Sequence, residues 1–185
     1  MKKNIAGFIL LFLMLSLLMI FPLTANFFTE ETRSVKINQS DIFVPFLEHE
    51  TTKAVFVYFG YVGCTAICIP TLNDFTPMYR RIHEHYPDTA FYFVNLNPTQ
   101  PKEWVEPFAK SFDPTFHGIY ATASEVDRFE RNFHLALTPY NEEMSHSSNL
   151  YLLIREQNHY VLKRIYVTHP YSEDVIIDDL ESLIV

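Results

Sequence analysis

Cysteine is scarce in this chain, because only Cys64 and Cys68 occur among its 185 residues. Neither lies near the N-terminus, so a lipid anchor of the bacterial type is not expected. Basic residues are also few: 14 Lys and Arg stand against 22 Asp and Glu, for a formal net charge of −8. Nucleic acids are bound by cations that neutralise phosphates, so this balance argues against a nucleic-acid partner. The sequence contains no internal repeat and no low-complexity tract.

Charged residues are absent between Lys3 and Glu30, and residues 5–23 are almost entirely apolar. At about 1.5 Å per helical residue, this run spans roughly the 30 Å hydrocarbon core of a bilayer. Lys2 and Lys3 precede it, which predicts a cytoplasmic N-terminus and an exported remainder. A cleaved signal peptide is the alternative, but its apolar region is usually only about 7–15 residues long. We expect a transmembrane signal anchor over residues 1–25, in the inner (cytoplasmic) membrane, with a periplasmic or otherwise extracytoplasmic C-terminal domain.

The rest of the sequence predicts a polar linker over residues 26–40 and one α/β domain over residues 41–185. Continuous apolar runs predict buried strands, and amphipathic patterns between them predict helices. The predicted order is β-α-β-α-β-α-β-β-α, with elements at residues 54–59, 65–85, 90–96, 102–112, 116–121, 122–134, 149–154, 159–166 and from 172 nearly to the C-terminus. Alternation followed by a hairpin predicts a mixed sheet with helices on both faces.

Cys64 and Cys68 lie four residues apart, where the first predicted strand turns into its helix. Residues i and i+4 share one face of a helix, so both sulfurs are predicted to point to the same side of the first turn. The unsatisfied N–H groups and positive dipole at a helix N-terminus favour thiolates there. A structural disulfide would close a minimal loop and stabilise little, and inert buried thiols are less expected beside the turn at Gly63. The pair therefore predicts a chemical role.

The spacing of the pair leaves more than one chemistry open. Three residues separate the cysteines, rather than the two of the common redox motif, yet a disulfide is still geometrically allowed. Thiolates also select Cu(I), zinc or iron–sulfur clusters. Two ligands are too few for a cluster or for structural zinc, whereas Cu(I) accepts two or three. Copper binding and thiol–disulfide exchange both fit, and a redox sensor or degenerate binding module without metal is a third alternative.

His146 differs by position from the other seven of the eight histidines in the chain. It ends the predicted loop 135–147, directly before the strand that begins at Asn149. In a thioredoxin-like layout, the loop before that strand lies next to the N-terminus of the cysteine-bearing helix. Imidazole suits copper, so His146 is a candidate third ligand. Met144 is a weaker thioether candidate, and the other histidines are expected in surface or packing roles.

Four segments of this sequence resemble the Sco/SenC family of copper-binding, thioredoxin-like proteins of cytochrome oxidase assembly; one of them is residues 112–119, which with the helix from Glu125 to His134 fit the section after the second strand. Residues 57–72, in which Phe-Gly-Tyr leads into Cys-x-x-x-Cys, resemble the family signature. Residues 93–98 resemble the exit of the second strand, and residues 145–152 resemble the His-Ser segment whose histidine completes the metal site. The resemblance covers about residues 40–183, which is essentially the whole predicted domain.

The resemblance implies a thioredoxin-like mixed sheet that binds copper, as Cu(I) or Cu(II), through Cys64, Cys68 and His146. It implies a metallochaperone rather than an enzyme, which delivers copper to the copper-bearing subunit of a respiratory cytochrome oxidase or matures that centre. The alternative is a thiol–disulfide oxidoreductase that uses the same two cysteines to reduce metal-ligand cysteines of a partner.

The sequence departs from the family pattern at positions close to the proposed site. The family has Pro-Asp after the first cysteine, where this chain has Thr65-Ala66. It has Asp before the proline at the second-strand exit, where this chain has Asn97. Two acidic groups are therefore missing. If carboxylates at these positions tune the thiols or assist a partner, this protein is expected to differ in thiol chemistry or in its recipient.

Overall fold

The computed structural model describes residues 10–17, 20, 34–135, 137–140, 143–145, 148–167 and 169–184. The chain divides into two compact units, Met1–Arg33 and Ser34–Val185. In the first unit, the described residues are helical and expose large apolar side chains, such as Phe12 at 72%. Among the described residues, no helix is both long and apolar enough to cross a membrane. Most of the predicted anchor, residues 1–25, lies outside the described residues, and the anchor stays a prediction.

The second unit contains, among its described residues, eight strands and four α-helices. The strands are β1 (Ser34–Gln39), β2 (Ala54–Gly60), β3 (Thr89–Asn95), β4 (His117–Tyr120), β5 (Thr138–Tyr140), β6 (Glu143–Ser145), β7 (Leu150–Glu156) and β8 (His159–Tyr166). The helices are α1 (Cys68–His85), α2 (Val105–Lys110), α3 (Ala123–Phe133) and α4 (Glu173–Ile184), with short 3₁₀ turns at Pro45–Leu47 and Lys102–Trp104.

Six of these strands form one mixed sheet in the order β1-β8-β7-β2-β3-β4, and β5 pairs with β6 in a separate hairpin. β2, β3 and β4 are parallel, whereas β7 is antiparallel to β2 and β8, and β1 is antiparallel to β8. The predicted mixed sheet with flanking helices is therefore confirmed.

Two segments differ from the sequence prediction. Residues 34–39, which were expected within the linker 26–40, form β1 and pair with β8. This strand lies at the edge of the sheet and keeps most of its side chains at least partly exposed, so its pattern lacks the apolar signal of a buried strand. The predicted loop 135–147 contains the small β5–β6 hairpin.

The central strand β2 is buried along its whole length and divides the core into two layers. Phe56 and Tyr58 belong to the layer that includes apolar residues of α1 and α4. Val57 and Phe59 belong to the opposite layer, with Phe133 of α3 at a ring-centroid distance of 4.7 Å from Phe59. Alternate side chains of a strand point to opposite faces, so helices cover both faces of the sheet.

One edge of the sheet collects three segments that are far apart in sequence. β2 and β3 both end there, because they are parallel and Gly60 pairs with Asn95. β7 begins there, because it is antiparallel to β2 and Leu150 pairs with Tyr58. The segment with the two cysteines leaves β2 at this edge, which we call the cysteine edge.

The capping box that the sequence predicts at the start of α3 is confirmed. The hydroxyl oxygen of Thr122 accepts a hydrogen bond from the N–H of Glu125 at 3.4 Å. The Glu125 carboxylate accepts one from the N–H of Thr122 at 2.8 Å. Two N–H groups that the helix would leave without an intrahelical partner are thereby satisfied.

Replacement of Thr122 tests this cap. Thr122→Ala should lower the free energy of unfolding by about 1 kcal/mol, because the side-chain acceptor is lost. Urea titration of the purified full chain in mild detergent, followed by circular dichroism, measures the change. Thr122→Ser keeps the acceptor and is the matched control, with a much smaller loss expected. Equal losses in the two variants would show that the cap is not the cause.

Candidate metal centre

The two cysteines lie at the cysteine edge, between the end of β2 and the start of α1. α1 begins at Cys68, and Cys64 lies one turn earlier, in the segment that links the strand to the helix. Both side chains are buried, with 3% of Cys64 and 0% of Cys68 exposed, and both are thiols. The predicted helix start at Thr65 is therefore three residues early. Pro70 explains the difference, since a proline fits the first turn of a helix but clashes with the carbonyl four residues earlier.

Cys64 caps α1 although it is not part of the helix. Its Sγ accepts a hydrogen bond from the N–H of Cys68 at 3.3 Å, and its carbonyl oxygen accepts one from the N–H of Ile69 at 3.1 Å. Both donors belong to the four N–H groups that a helix leaves unsatisfied at its N-terminus. The two cysteines are thus in contact, as the sequence predicts. They meet because Cys64 caps the helix from the preceding segment, and not because both residues share one face of the helix. The positive end of the helix dipole favours negative charge on the Cys64 sulfur.

The Cys68 thiol lies deeper, against the end of β2. Its hydrogen bond with Cys64 and then its burial raise the pKa of Cys68 far above the ordinary range of a thiol. Interactions with the Tyr61 backbone and the Tyr58 hydroxyl act in the opposite direction without cancelling this effect. The sequence predicts thiolates at the helix N-terminus, but this prediction does not hold for Cys68, which keeps its proton. A soft cation that takes both sulfurs must displace the Cys68 proton, so its binding releases protons.

Gly60, the last residue of β2, leaves the space that the Cys68 sulfur occupies. A Cβ atom at this position would lie 2.7 Å from Cys68 Sγ and 3.2 Å from the ring of Tyr58. Real Cβ atoms essentially never come within 3.0 Å of another atom, so the Cys68 sulfur would have to move. The glycine of the Phe-Gly-Tyr sequence is thus required by the close approach of a side chain to the strand.

A turn between β2 and Cys64 determines the position of the Cys64 side chain. The N–H of Cys64 donates to the carbonyl oxygen of Tyr61 at 3.2 Å, which closes a turn over Tyr61–Cys64 that we call the cysteine turn. Gly63 is its third residue and has a φ of +80°. This left-handed conformation favours glycine and is typical of the third position of a type II turn.

Asn95 and Gln100 also belong to the site, and the sequence did not single them out. Their side chains hydrogen-bond the backbone of Val62, inside the cysteine turn. Asn95 offers a weak signal, because it is a polar residue at the end of an otherwise apolar strand. Gln100 offers none, because its contact joins residues 38 positions apart in sequence.

The departures from the family pattern lie in two different places. Thr65 and Ala66 are exposed, so the positions of the missing Pro-Asp pair belong to the surface between the cysteines. The Asn97 side-chain oxygen accepts hydrogen bonds from the N–H and hydroxyl of Thr99, at 3.0 and 2.7 Å. These contacts shape the loop after β3, and an aspartate could accept both of them.

His146 lies outside the described residues, so its role as third ligand stays a prediction. The described chain that follows it begins at the cysteine edge. The hydroxyl of Tyr171 donates to the carbonyl oxygen of Ser148, and the Tyr171 ring packs edge-on against Phe75 of α1 at 5.8 Å. Within the part of the chain that the structure describes, no group of three His, Cys, Asp or Glu side chains could hold a metal ion. Met144 lies in β6, paired with Pro139.

Several other histidines take part in packing or surface contacts. The ring of His83 stacks on Tyr79 at 5.5 Å, and that of His117 stacks on Tyr92 at 4.9 Å. His169 lies 3.3 Å from a carboxylate oxygen of Asp74. These contacts agree with the surface and packing roles expected for them.

The mixed sheet, with a cysteine pair where its central strand leads into a helix, defines a thioredoxin-like domain. Residues 48–184 match the family model described as SCO1/SenC. The chain therefore belongs to the SCO1/SenC family, as the motifs indicated.

Individual relatives agree with this assignment. An SCO2-like protein of Rickettsia felis is 25% identical in an alignment 119 residues long, which covers 60% of this chain and 57% of the relative. The chain thus spans little more than half the length of the curated relatives it matches. Arabidopsis thaliana ScoI, solved with copper bound, is 18% identical, with a TM-score of 0.62 over 81% of this chain and 98% of that one.

A second solved structure is BsSco, described as a Sco family member of cytochrome c oxidase assembly that has a disulfide switch. It is 18% identical, with a TM-score of 0.55 over 82% of this chain and 92% of that one. At these identities the structural likeness shows a shared fold.

Enlarging Gly60 tests the close packing of Cys68. Gly60→Ala should displace the Cys68 sulfur and lower the free energy of unfolding by about 1–3 kcal/mol, the usual range for overpacking. Gly118→Ala is the control, because its Cβ would lie 2.4 Å from the Val105 carbonyl oxygen, in the contact between β4 and α2. Both variants should lose stability in urea, but only Gly60→Ala should change the alkylation rate of Cys68 in the folded protein, measured by mass spectrometry. An unchanged rate in Gly60→Ala would contradict the packing described.

Proposed function

We propose that this chain is a membrane-tethered copper-binding protein that delivers copper to, or matures, the copper centre of a respiratory cytochrome oxidase. The observation that carries the proposal is the contact of two buried thiols, Cys64 and Cys68, at the N-terminus of α1. Two adjacent sulfurs form a soft ligand pair suited to Cu(I). Membership of the SCO1/SenC family and the copper-bound structure of Arabidopsis thaliana ScoI support this choice of metal.

The proposed ligands are Cys64, Cys68 and His146, which would serve Cu(I) or Cu(II). The start of β7 beside the end of β2 supports the choice of histidine, since His146 lies four residues before Leu150 in sequence. Copper is cargo in this proposal, and the protein acts as a metallochaperone rather than as an enzyme. Two or three ligands leave room for a partner's ligand, which is what transfer from one protein to another requires.

The proposed recipient is a copper-bearing subunit of cytochrome oxidase in the same membrane. The description of BsSco as a protein of cytochrome c oxidase assembly supports this recipient. The proposed anchor over residues 1–25 would hold the domain on the extracytoplasmic face of the cytoplasmic membrane. The long uncharged apolar run and the exposed apolar side chains of residues 10–17 support the anchor.

Thiol–disulfide exchange is the alternative function, and the contact between the thiols favours it too. In this reaction the Cys64 thiol loses its proton and its sulfur attacks a partner disulfide, whose S–S bond breaks; one partner sulfur leaves as a thiolate and the other forms a mixed disulfide with Cys64. Cys68 then loses its proton and displaces the partner sulfur, which leaves a Cys64–Cys68 disulfide and a reduced partner dithiol. The position of Cys64 at the N-terminus of α1, next to the exposed residues Thr65 and Ala66, supports Cys64 as the first attacking group, and the raised pKa of Cys68 agrees with this order. The disulfide switch described for BsSco supports this alternative.

Copper titration of the full chain, reduced and purified in detergent, tests the proposal. The parent should bind one equivalent of copper in competition with a chelator. Cys64→Ser and Cys68→Ser should lose more than about a hundredfold in affinity, because a lost ligand should cost more than the 10–100-fold of an outer-shell partner. His146→Ala should also weaken binding, and His159→Ala is the control, because His159 is exposed at the start of β8, away from the cysteine edge.

The outcomes separate the two functions. A parent that binds neither Cu(I) nor Cu(II) but rapidly reduces a disulfide substrate would establish thiol–disulfide exchange instead. If His146→Ala binds both ions as tightly as the parent, the histidine is not a ligand and the proposed set reduces to the cysteine pair.

A further inference from the structure

The peptide groups of Val62 are held by two side chains, that of Asn95 at the end of β3 and that of Gln100 in the loop after it. The Val62 N–H lies 3.1 Å from Asn95 Oδ1 and 3.2 Å from Gln100 Oε1. The Val62 carbonyl oxygen accepts a hydrogen bond from Gln100 Nε2 at 2.8 Å. Asn95 is fully buried, and Gln100 is partly buried. A single residue of the chain leading to Cys64 therefore makes three hydrogen bonds with side chains: its N–H donates to two oxygens and its carbonyl oxygen accepts one.

These contacts take the place of the backbone hydrogen bonds between β2 and β3, at the point where both strands have ended. The last backbone bond between these segments runs from the N–H of Leu96 to the carbonyl oxygen of Gly60, at 2.6 Å. Beyond Gly60 the chain enters the cysteine turn, in which Val62 is the second residue. Gln100 reaches across and bonds both the N–H and the C=O of Val62, as a residue of a neighbouring strand would.

The loop that carries Gln100 is itself anchored to the sheet. The Asn95 side chain donates to the carbonyl oxygen of Asn97 at 2.8 Å. The hydroxyl of Tyr120, in β4, donates to the carbonyl oxygen of Pro98 at 2.7 Å. The restraint on Val62 is therefore transmitted from the sheet through a hydrogen-bonded loop, rather than from a mobile surface side chain.

We propose that Gln100, supported by Asn95, is a positioning residue that holds the cysteine turn so that the Cys64 sulfur stays against the start of α1 beside Cys68. The proposal rests on the copper-binding function proposed above. Glutamine suits this role because its amide supplies a donor and an acceptor at once. A carboxylate supplies acceptors only, and lysine or arginine supplies donors only.

Three variants of the full chain in detergent test the role of Gln100. Gln100→Met has a similar shape and loses both hydrogen bonds, so Cu(I) affinity should fall roughly 10–100-fold, as for other outer-shell partners of metal ligands. The thiolate-to-copper charge-transfer band of the Cu(II) form should shift as well. Gln100→Glu keeps the acceptor for Val62 N–H but loses the donor, and should fall between Gln100→Met and the parent. Thr99→Val is the matched control: it removes a hydrogen bond to Asn97 in the same loop without touching Val62.

A second readout does not depend on copper. The alkylation rate of Cys64 in the reduced chain should rise about tenfold in Gln100→Met, because the turn that buries this side chain loses two hydrogen bonds. Urea titration of each variant identifies any rise that comes from global unfolding. The rate should be unchanged in Thr99→Val.

Three outcomes would overturn the inference. The first is that Gln100→Met matches the parent in Cu(I) affinity, in the position of the charge-transfer band and in the alkylation rate of Cys64. The second is that Gln100→Met loses stability in urea while these three properties stay unchanged, because Gln100 would then have a structural role only. The third is that Thr99→Val loses as much affinity as Gln100→Met. Failure of the copper-binding function would be distinct, because the parent itself would then bind no copper, and the alkylation rates would still decide the role of Gln100.

Discussion

The hydrogen bond from the N–H of Cys68 to the sulfur of Cys64 is the contact on which the candidate site depends. It satisfies one of the N–H groups that α1 would otherwise leave without a partner, so a thiol does the work usually done by a Ser, Thr or Asp cap. The same contact therefore caps the start of the helix and brings the two cysteines together. Any change that moves Cys64 away also removes a cap from α1, which couples the geometry of the site to local stability.

The two sulfurs are not equivalent, and their difference suggests an order of events. Cys64 lies at the helix N-terminus and next to the exposed residues Thr65 and Ala66, whereas Cys68 is fully buried against Gly60 and has a raised pKa. For the proposed function, we expect an incoming cation or a partner sulfur to meet Cys64 first, and Cys68 to join after it loses its proton. Of the positions where the chain departs from its family, Thr65 and Ala66 thus lie on the exposed side of the site, whereas Asn97 lies in the loop after β3.

Local sequence patterns predicted most of the fold and the contact between the two cysteines, and the differences have physical causes. The capping box at Thr122 and the β7–β8 hairpin depend on neighbouring residues, so their patterns are visible in the sequence. The start of α1 was misplaced because the effect of Pro70 on the preceding turn outweighed the helical pattern. Gln100 could not be predicted, because its role depends on a contact between two loops that only the folded sheet brings together. Asn95 gives only a weak signal, because the sequence shows a polar residue at the end of an apolar strand but not its burial.

The cysteine pair and the proposed third ligand depend on different levels of structure. The pair is local, since Gly60, the cysteine turn and the cap of α1 all lie within residues 60–69. The segment that follows His146 in sequence reaches the cysteine edge because of the register of β7 against β2, in which Leu150 opposes Tyr58. A slip of one residue in that register would turn every side chain of β7 to the other face of the sheet. The buried apolar side chains on both faces of β7 oppose such a slip, so the two core layers, although remote from the chemistry, hold the third segment at the cysteine edge.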